Sequence, residues 1–119
     1  MGLQLSDPKP AALSGEFDFE RYATSLPARV IMLGHHLKMH ETLCTMKDIS
    51  CSGAKLKVDP SAQIPSHFFL QINGMHDEIG CTMVSRTLEH ISLKFNMLLA
   101  DDFLTSVLRR NEEFEKSTH

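Results

Sequence analysis

The chain has 119 residues, 42% hydrophobic and 23% charged, which suits one domain with a modest core. A formal net charge of -3 disfavours a general binder of nucleic-acid polymers, because such proteins carry a basic surface. No apolar run approaches the roughly 20 residues that cross a bilayer, and residues 1–10 lack the features of a secretory signal. We therefore expect a cytoplasmic protein without a membrane span.

Residues 1–24 are predicted to form a flexible segment ahead of the folded domain. Residues 1 to about 15 have no periodic apolar pattern and are interrupted by Pro8, Pro10, Ser14 and Gly15. Phe17, Phe19 and Tyr22 then form an aromatic patch among acidic residues. This patch either forms a short helical turn or docks on the domain.

Residues 25–97 alternate short strand patterns with polar turns. Apolar, β-branched or alternating residues mark each strand, and Gly, Pro, Asn and Asp mark the turns. Six short strands at this spacing predict a mainly β fold, a small six-stranded antiparallel β-barrel. The predicted strands are 28–33, 37–49, 53–58, 68–72, 79–86 and 91–95.

Residues 98–119 predict a C-terminal amphipathic α-helix followed by a tail. Leu99, Phe103 and Val107 recur at helical spacing, and two aspartates near the start suit the helix dipole. The helix either packs on the barrel or contacts a protein partner.

No residue pattern predicts catalysis, a metal site or a resident cofactor. The seven histidines lack HxxxH and HExxH spacing, and the three cysteines lack CxxC spacing. Cys44 and Cys81 lie within apolar alternations and are predicted to be small core residues, whereas Cys51 lies in a polar turn and is the candidate reactive thiol. P-loop and nucleophile-elbow motifs are missing too. We expect a binding protein without catalytic residues.

The chain is organised around the polar turn at residues 47–54. Asp48 and Ser50 are two residues apart, so they point to the same side if the strand continues through them. Gly53 suits either a positive φ or the close approach of another group. A carboxylate, a hydroxyl and a bare backbone thus meet at one end of a hairpin, as a capped turn or as a binding edge.

The pattern Asp48-x-Ser50-x-x-Gly53 resembles the second signature of the PilZ domain family, small barrels many of which bind cyclic di-GMP. The resemblance extends over roughly residues 28–96 and implies a non-enzymatic effector of bacterial second-messenger signalling. The sequence patterns that support it are Ile64-Pro65 in the connection after the third strand, and Phe68-x-Leu70-x-Ile72, Cys81-x-Met83-Val84 and Ile91-x-Leu93-x-Phe95 in the last three strands.

The first signature of the PilZ family is Arg-x-x-x-Arg, just ahead of the first strand. Arg29, immediately before the predicted strand residue Val30, matches the second arginine, and Ser25 stands in place of the first. The nearest arginine upstream is Arg21. Guanidinium groups match phosphate oxygens and guanine acceptor edges, which suits a dianionic dinucleotide with two guanines.

The resemblance implies a ligand site made of Arg29, Asp48, Ser50 and Gly53. Arg29 would pair with phosphate or guanine, Asp48 and Ser50 would contact a guanine edge, and Gly53 would let the base approach. The segment 17–26 would then close over the ligand.

Two functions stay open at this point. One is a receptor for cyclic di-GMP. The other is a degenerate PilZ adaptor that does not bind nucleotide and contacts a protein partner through the C-terminal helix or the N-terminal segment.

Overall fold

The computed structural model describes residues 19–117, in which six strands close into an antiparallel barrel followed by one α-helix. The predicted fold class is therefore confirmed. A short 3-10 turn, His35–Leu37, joins the first two strands. The strands are β1 (Tyr22–Leu33), β2 (Met39–Ile49), β3 (Gly53–Lys57), β4 (His67–Ile72), β5 (Glu78–Arg86) and β6 (His90–Phe95), and the helix is α1 (Asp101–Ser117).

The strands follow the order β1-β2-β3-β6-β5-β4 around the barrel, and β4 pairs with β1 to close it. Consecutive strands mostly form hairpins, and the pairing of β3 with β6 brings two distant parts of the chain together. Closure gives every strand a hydrogen-bonded neighbour on both sides.

Alternating side chains of the strands fill the barrel interior. Cys44 and Cys81 are buried there, and burial raises the pKa of each thiol to about 12. The prediction that both are core residues is confirmed. The largest fully buried side chains are Leu26, Val30, Met46, Ile49, Leu56, Leu70, Ile72, Ile91 and Val107.

The start of β1 differs from the prediction. The sequence predicted a strand from Ala28, but β1 begins at Tyr22, which pairs with Ile49 of β2. A β-bulge between Ala23 and Leu26 separates this first part of the strand from the rest. The bulge and the following proline, which has no amide hydrogen to donate, made the segment resemble a break in the sequence. The barrel thus takes in residues that were predicted to belong to the flexible N-terminal segment.

Helix α1 packs on the barrel, which was one of its two predicted positions. Leu104 and Val107 are buried, and the buried Asn111 accepts a hydrogen bond from the Ser25 amide at 2.9 Å. Arg110 donates to the Gly74 carbonyl at 3.2 Å. These contacts hold the helix against the β1 bulge and the β4–β5 turn. Within residues 19–117, no helix has the length and apolar character needed to cross a membrane.

Candidate functional site

Ser50 closes the turn between β2 and β3 from inside the protein. Its side chain is fully buried, and its Oγ accepts hydrogen bonds from the amides of Ser52 at 3.1 Å and Gly53 at 3.2 Å. The Ser50 amide in turn donates to the Gly53 carbonyl at 2.8 Å. The hydroxyl therefore stabilises the turn and does not face solvent.

Gly53 is required by the packing of β3 against β6. A Cβ built at this position would lie 2.3 Å from the backbone carbonyl oxygen of Leu93, which is closer than real Cβ atoms come. Among residues 19–117, the glycine with a positive φ is Gly74, in the β4–β5 turn. Of the two predicted reasons for Gly53, close approach is the correct one, and the approaching group is the protein's own backbone.

Asp48 forms an ion pair with Arg21 on the outside of the barrel. The guanidinium Nη1 donates to Asp48 Oδ1 at 2.6 Å, and the two side chains are 40% and 23% exposed. The register that pairs Tyr22 with Ile49 and Ala23 with Asp48 brings Arg21 to the carboxylate. A charge-assisted bond thus lies beside the Ser50 turn, where solvent can reach it.

Arg29 lies away from this turn. It pairs in register with Leu43 of β2, five residues before Asp48, which corresponds to about 17 Å along a strand. Its guanidinium is 3.7 Å from the Glu41 carboxylate, and both side chains are more than half exposed. Because β1 begins at Tyr22, Arg29 lies well inside this strand and not at its start. The structure brings Asp48, Ser50 and Gly53 together and leaves Arg29 apart.

Arg21 lies beside the turn, although the sequence prediction did not include it among the ligand-binding residues. It lies directly ahead of β1, where the first PilZ signature is expected. The signal was present in the sequence as an arginine, but its position depended on knowing that the strand starts at Tyr22. Four residues earlier stands Phe17, which lies outside the described residues.

Lysines flank the turn on neighbouring strands. Lys55 of β3 is the register partner of Asp48, and Lys94 of β6 is the register partner of Gly53. Both are exposed. With Arg21, they provide positive charge around the turn of a chain whose net charge is -3, and such a local patch favours an anionic ligand.

Tyr22 and Glu20 complete the side of the turn nearest the start of β1. The Tyr22 hydroxyl donates to Glu20 Oε1 at 3.2 Å. Partial burial and the neighbouring carboxylates, Glu20 first among them, raise the pKa of Tyr22. The tyrosine therefore stays neutral at physiological pH and can serve as a hydrogen-bond donor.

The turn also holds the segment that leads into α1. Phe95 donates its amide to the Ser52 carbonyl at 2.8 Å, and Leu99 donates to the Cys51 carbonyl at 2.9 Å. Among residues 19–117, no group of three or more His, Cys, Asp or Glu side chains lies close enough together to hold a metal ion.

A closed barrel that presents a charged turn at one end has the architecture of a small binding domain. A family model for the PilZ domain matches residues 18–110, and the chain belongs to the PilZ domain family, as its sequence resemblance predicted. No curated protein matches the chain significantly. PilZ domains are binding and adaptor domains, and the family is generally one of cyclic di-GMP effectors.

Proposed function

We propose that this chain is a cyclic di-GMP effector domain that binds the dinucleotide beside Arg21 and Asp48. The observation that carries the proposal is the 2.6 Å contact between these two side chains, next to a turn with the second PilZ signature. The start of β1 at Tyr22 supports giving Arg21, and not Arg29, the position of the second arginine in the first signature. The domain would act non-enzymatically in bacterial second-messenger signalling in the cytoplasm.

Arg21 carries a group that suits both Asp48 and the proposed ligand. A guanidinium presents five donors in a planar fork, which matches the oxygens of a phosphate and the acceptor edge of guanine as well as a carboxylate. The carboxylate of Asp48 accepts hydrogen bonds, which suits the N–H groups of a guanine. Lys55 and Lys94 would add electrostatic attraction for the two phosphates.

Ser50 and Gly53 support this site from behind. Ser50 is buried and bonded within the turn, and Gly53 packs against β6. Their predicted contacts with guanine are replaced in this proposal by a positioning role. They fix the backbone that follows Asp48, and so they set the direction of its carboxylate.

The arginine signature is incomplete. Phe17 stands four residues before Arg21, where the signature has its first arginine. A charge-assisted hydrogen bond contributes about 1.5–3 kcal/mol, which corresponds to roughly tenfold to more than a hundredfold in affinity. We therefore expect weaker binding than a PilZ domain with both arginines achieves.

Isothermal titration of the full chain with cyclic di-GMP, at tens of micromolar protein, tests the proposal. We expect the Arg21→Ala variant to lose binding and the Arg29→Ala variant to keep it. The two are comparable, because each arginine is partly exposed and lies beside a carboxylate of β2. Loss of binding in Arg29→Ala alone would contradict the assignment of Arg21. The Cys51→Ala variant is a further control and should bind cyclic di-GMP normally.

A second candidate function is the degenerate PilZ adaptor, which acts through protein contacts without nucleotide. The observation that favours it is that Asp48 already has Arg21 as its partner and the Ser50 hydroxyl is engaged in its own turn. Absence of heat in the titration of the unmodified chain would favour this adaptor.

A further inference from the structure

An apolar cleft of about 460 Å³ lies between the start of β5, residues 96–100 and the first turn of α1. Two of its apolar side chains, Met97 and Leu98, are 81% and 62% exposed. Clustered exposed apolar side chains on a small domain mark interaction sites. The apolar residues that line the cleft are Ile79, Met97, Leu98, Leu99, Ala100 and Phe103.

Two acidic side chains line this cleft, and two more are adjacent to its lining in sequence. Asp77 and Glu78 line it from the β5 side, and Asp101 and Asp102 are exposed in the first turn of α1. The two aspartates suit the helix dipole, but Asp77 and Glu78 lie on another element and have no such explanation. None of the described residues that line the cleft is Lys, Arg or His. The cleft is therefore complementary to a segment that is both apolar and basic.

We propose that this cleft docks a short basic amphipathic helix of a partner protein. One face of such a helix places apolar anchors at i, i+3 or i+4, and i+7, while lysines and arginines on its flanks face the acids at the cleft and beside it. A helix fits better than an extended strand, because each strand of the barrel in residues 19–117 already has two hydrogen-bonded neighbours. The proposal does not depend on nucleotide binding.

Fluorescence anisotropy with the full chain and labelled synthetic peptides tests this docking. The probe is an amphipathic peptide of roughly 14 residues, about four helical turns, with leucines on one face and lysines on the others. The matched control peptide has glutamate at every lysine position. We expect saturable binding of the lysine peptide that weakens with added salt, and binding at least about tenfold weaker for the glutamate peptide.

Two variants of the chain locate the binding site. Leu98→Asp should weaken binding of the lysine peptide by about tenfold or more, because it removes an apolar contact and places a charge in the cleft. Leu88→Asp is the control, since Leu88 is 73% exposed and lies in the turn at the opposite end of the β5–β6 hairpin. Both substitutions are at exposed positions, and thermal melting confirms that the variants fold.

Three results would overturn the proposal. One is equal binding of the lysine and glutamate peptides, and another is an equal effect of the two leucine variants. The third is a concentration-dependent dimer in sedimentation velocity that Leu98→Asp abolishes, because the cleft would then be an interface between two copies of this chain. Saturable, salt-sensitive binding lost only in Leu98→Asp supports it.

Discussion

Replacing Ser50 with alanine separates a structural role of the hydroxyl from direct contact with a ligand. The Ser50 Oγ accepts bonds from the amides of Ser52 and Gly53 and lies in a fully buried position. Alanine keeps the Cβ and removes this acceptor. Both amides then lose their hydrogen bond to the Ser50 oxygen. The loss costs more for the buried amide, because water does not replace the missing oxygen there.

The expected loss of stability follows from the burial of the two amides. Gly53 is buried, and leaving a buried donor unsatisfied costs about 1–3 kcal/mol. Ser52 is half-buried, so water offsets part of the second loss. We therefore expect Ser50→Ala to lower the free energy of unfolding by about 2 kcal/mol, which is roughly 10 °C in Tm for a domain of this size.

Urea denaturation followed by circular dichroism measures this loss. The control is Ser52→Ala, because the Ser52 hydroxyl contacts only the Ser50 hydroxyl, at 3.2 Å, among the described residues. We expect Ser52→Ala to change stability by less than about 0.5 kcal/mol. An unchanged midpoint for Ser50→Ala would refute the turn-closing role, and a loss of cyclic di-GMP binding in such a stable variant would make Ser50 a ligand contact.

Other substitutions and conditions test the packing. Gly53→Ala should lower the free energy of unfolding by about 1–3 kcal/mol in thermal melts, because the new Cβ would lie 2.3 Å from a backbone carbonyl oxygen. Gly80→Ala is the control and should lower it less, because its Cβ would meet only a movable side-chain nitrogen. Asn111→Ala should lower the free energy of unfolding in urea by about 1–3 kcal/mol, because it removes the acceptor for the amide in the β1 bulge. Unchanged stability would contradict a role of this hydrogen bond in holding the helix to the barrel. Cys44 and Cys81 have a pKa of about 12 in the folded protein against 9.0 ordinarily, so the folded state binds more protons between those values. Their contribution to stability is complete below pH 9 and falls as pH rises towards 12, and Tm measured at pH 7, 9 and 10.5 should decline accordingly.

The hydrophobic pattern was sufficient to predict most of the barrel. Alternation of apolar and polar residues places five of the six strands within two residues of their observed bounds, because one face of each strand fills the core. The start of the first strand was not predicted by this pattern. Its bulge interrupts the alternation between Ala23 and Leu26, and a proline follows directly. Tertiary pairing with Ile49 and the Asn111 side chain stabilise a segment that looks like a loop by itself.

The turn that carries the candidate site was predictable where its residues are close in sequence. Asp48, Ser50 and Gly53 form one local turn, and the pattern found all three. Whether each side chain faces solvent or the interior could not be predicted, because β2 ends at Ile49 and strand alternation does not extend to Ser50. The arginine is 27 residues from its carboxylate, so its identity depended on the register of β1 with β2.

The ion pair between Arg21 and Asp48 matters more for position than for stability. Exposed pairs of this kind contribute about 0–1 kcal/mol, because water screens them and both side chains lose freedom. That same loss of freedom benefits binding, since a guanidinium already held beside the turn need not be ordered when a ligand arrives. With Phe17 in place of the first arginine, the remaining arginine has to provide most of the charge-assisted contact by itself. In the proposed site, the ion pair of Arg21 with Asp48 and the buried Ser50 that closes the turn would fix the position of the one arginine that remains of the signature.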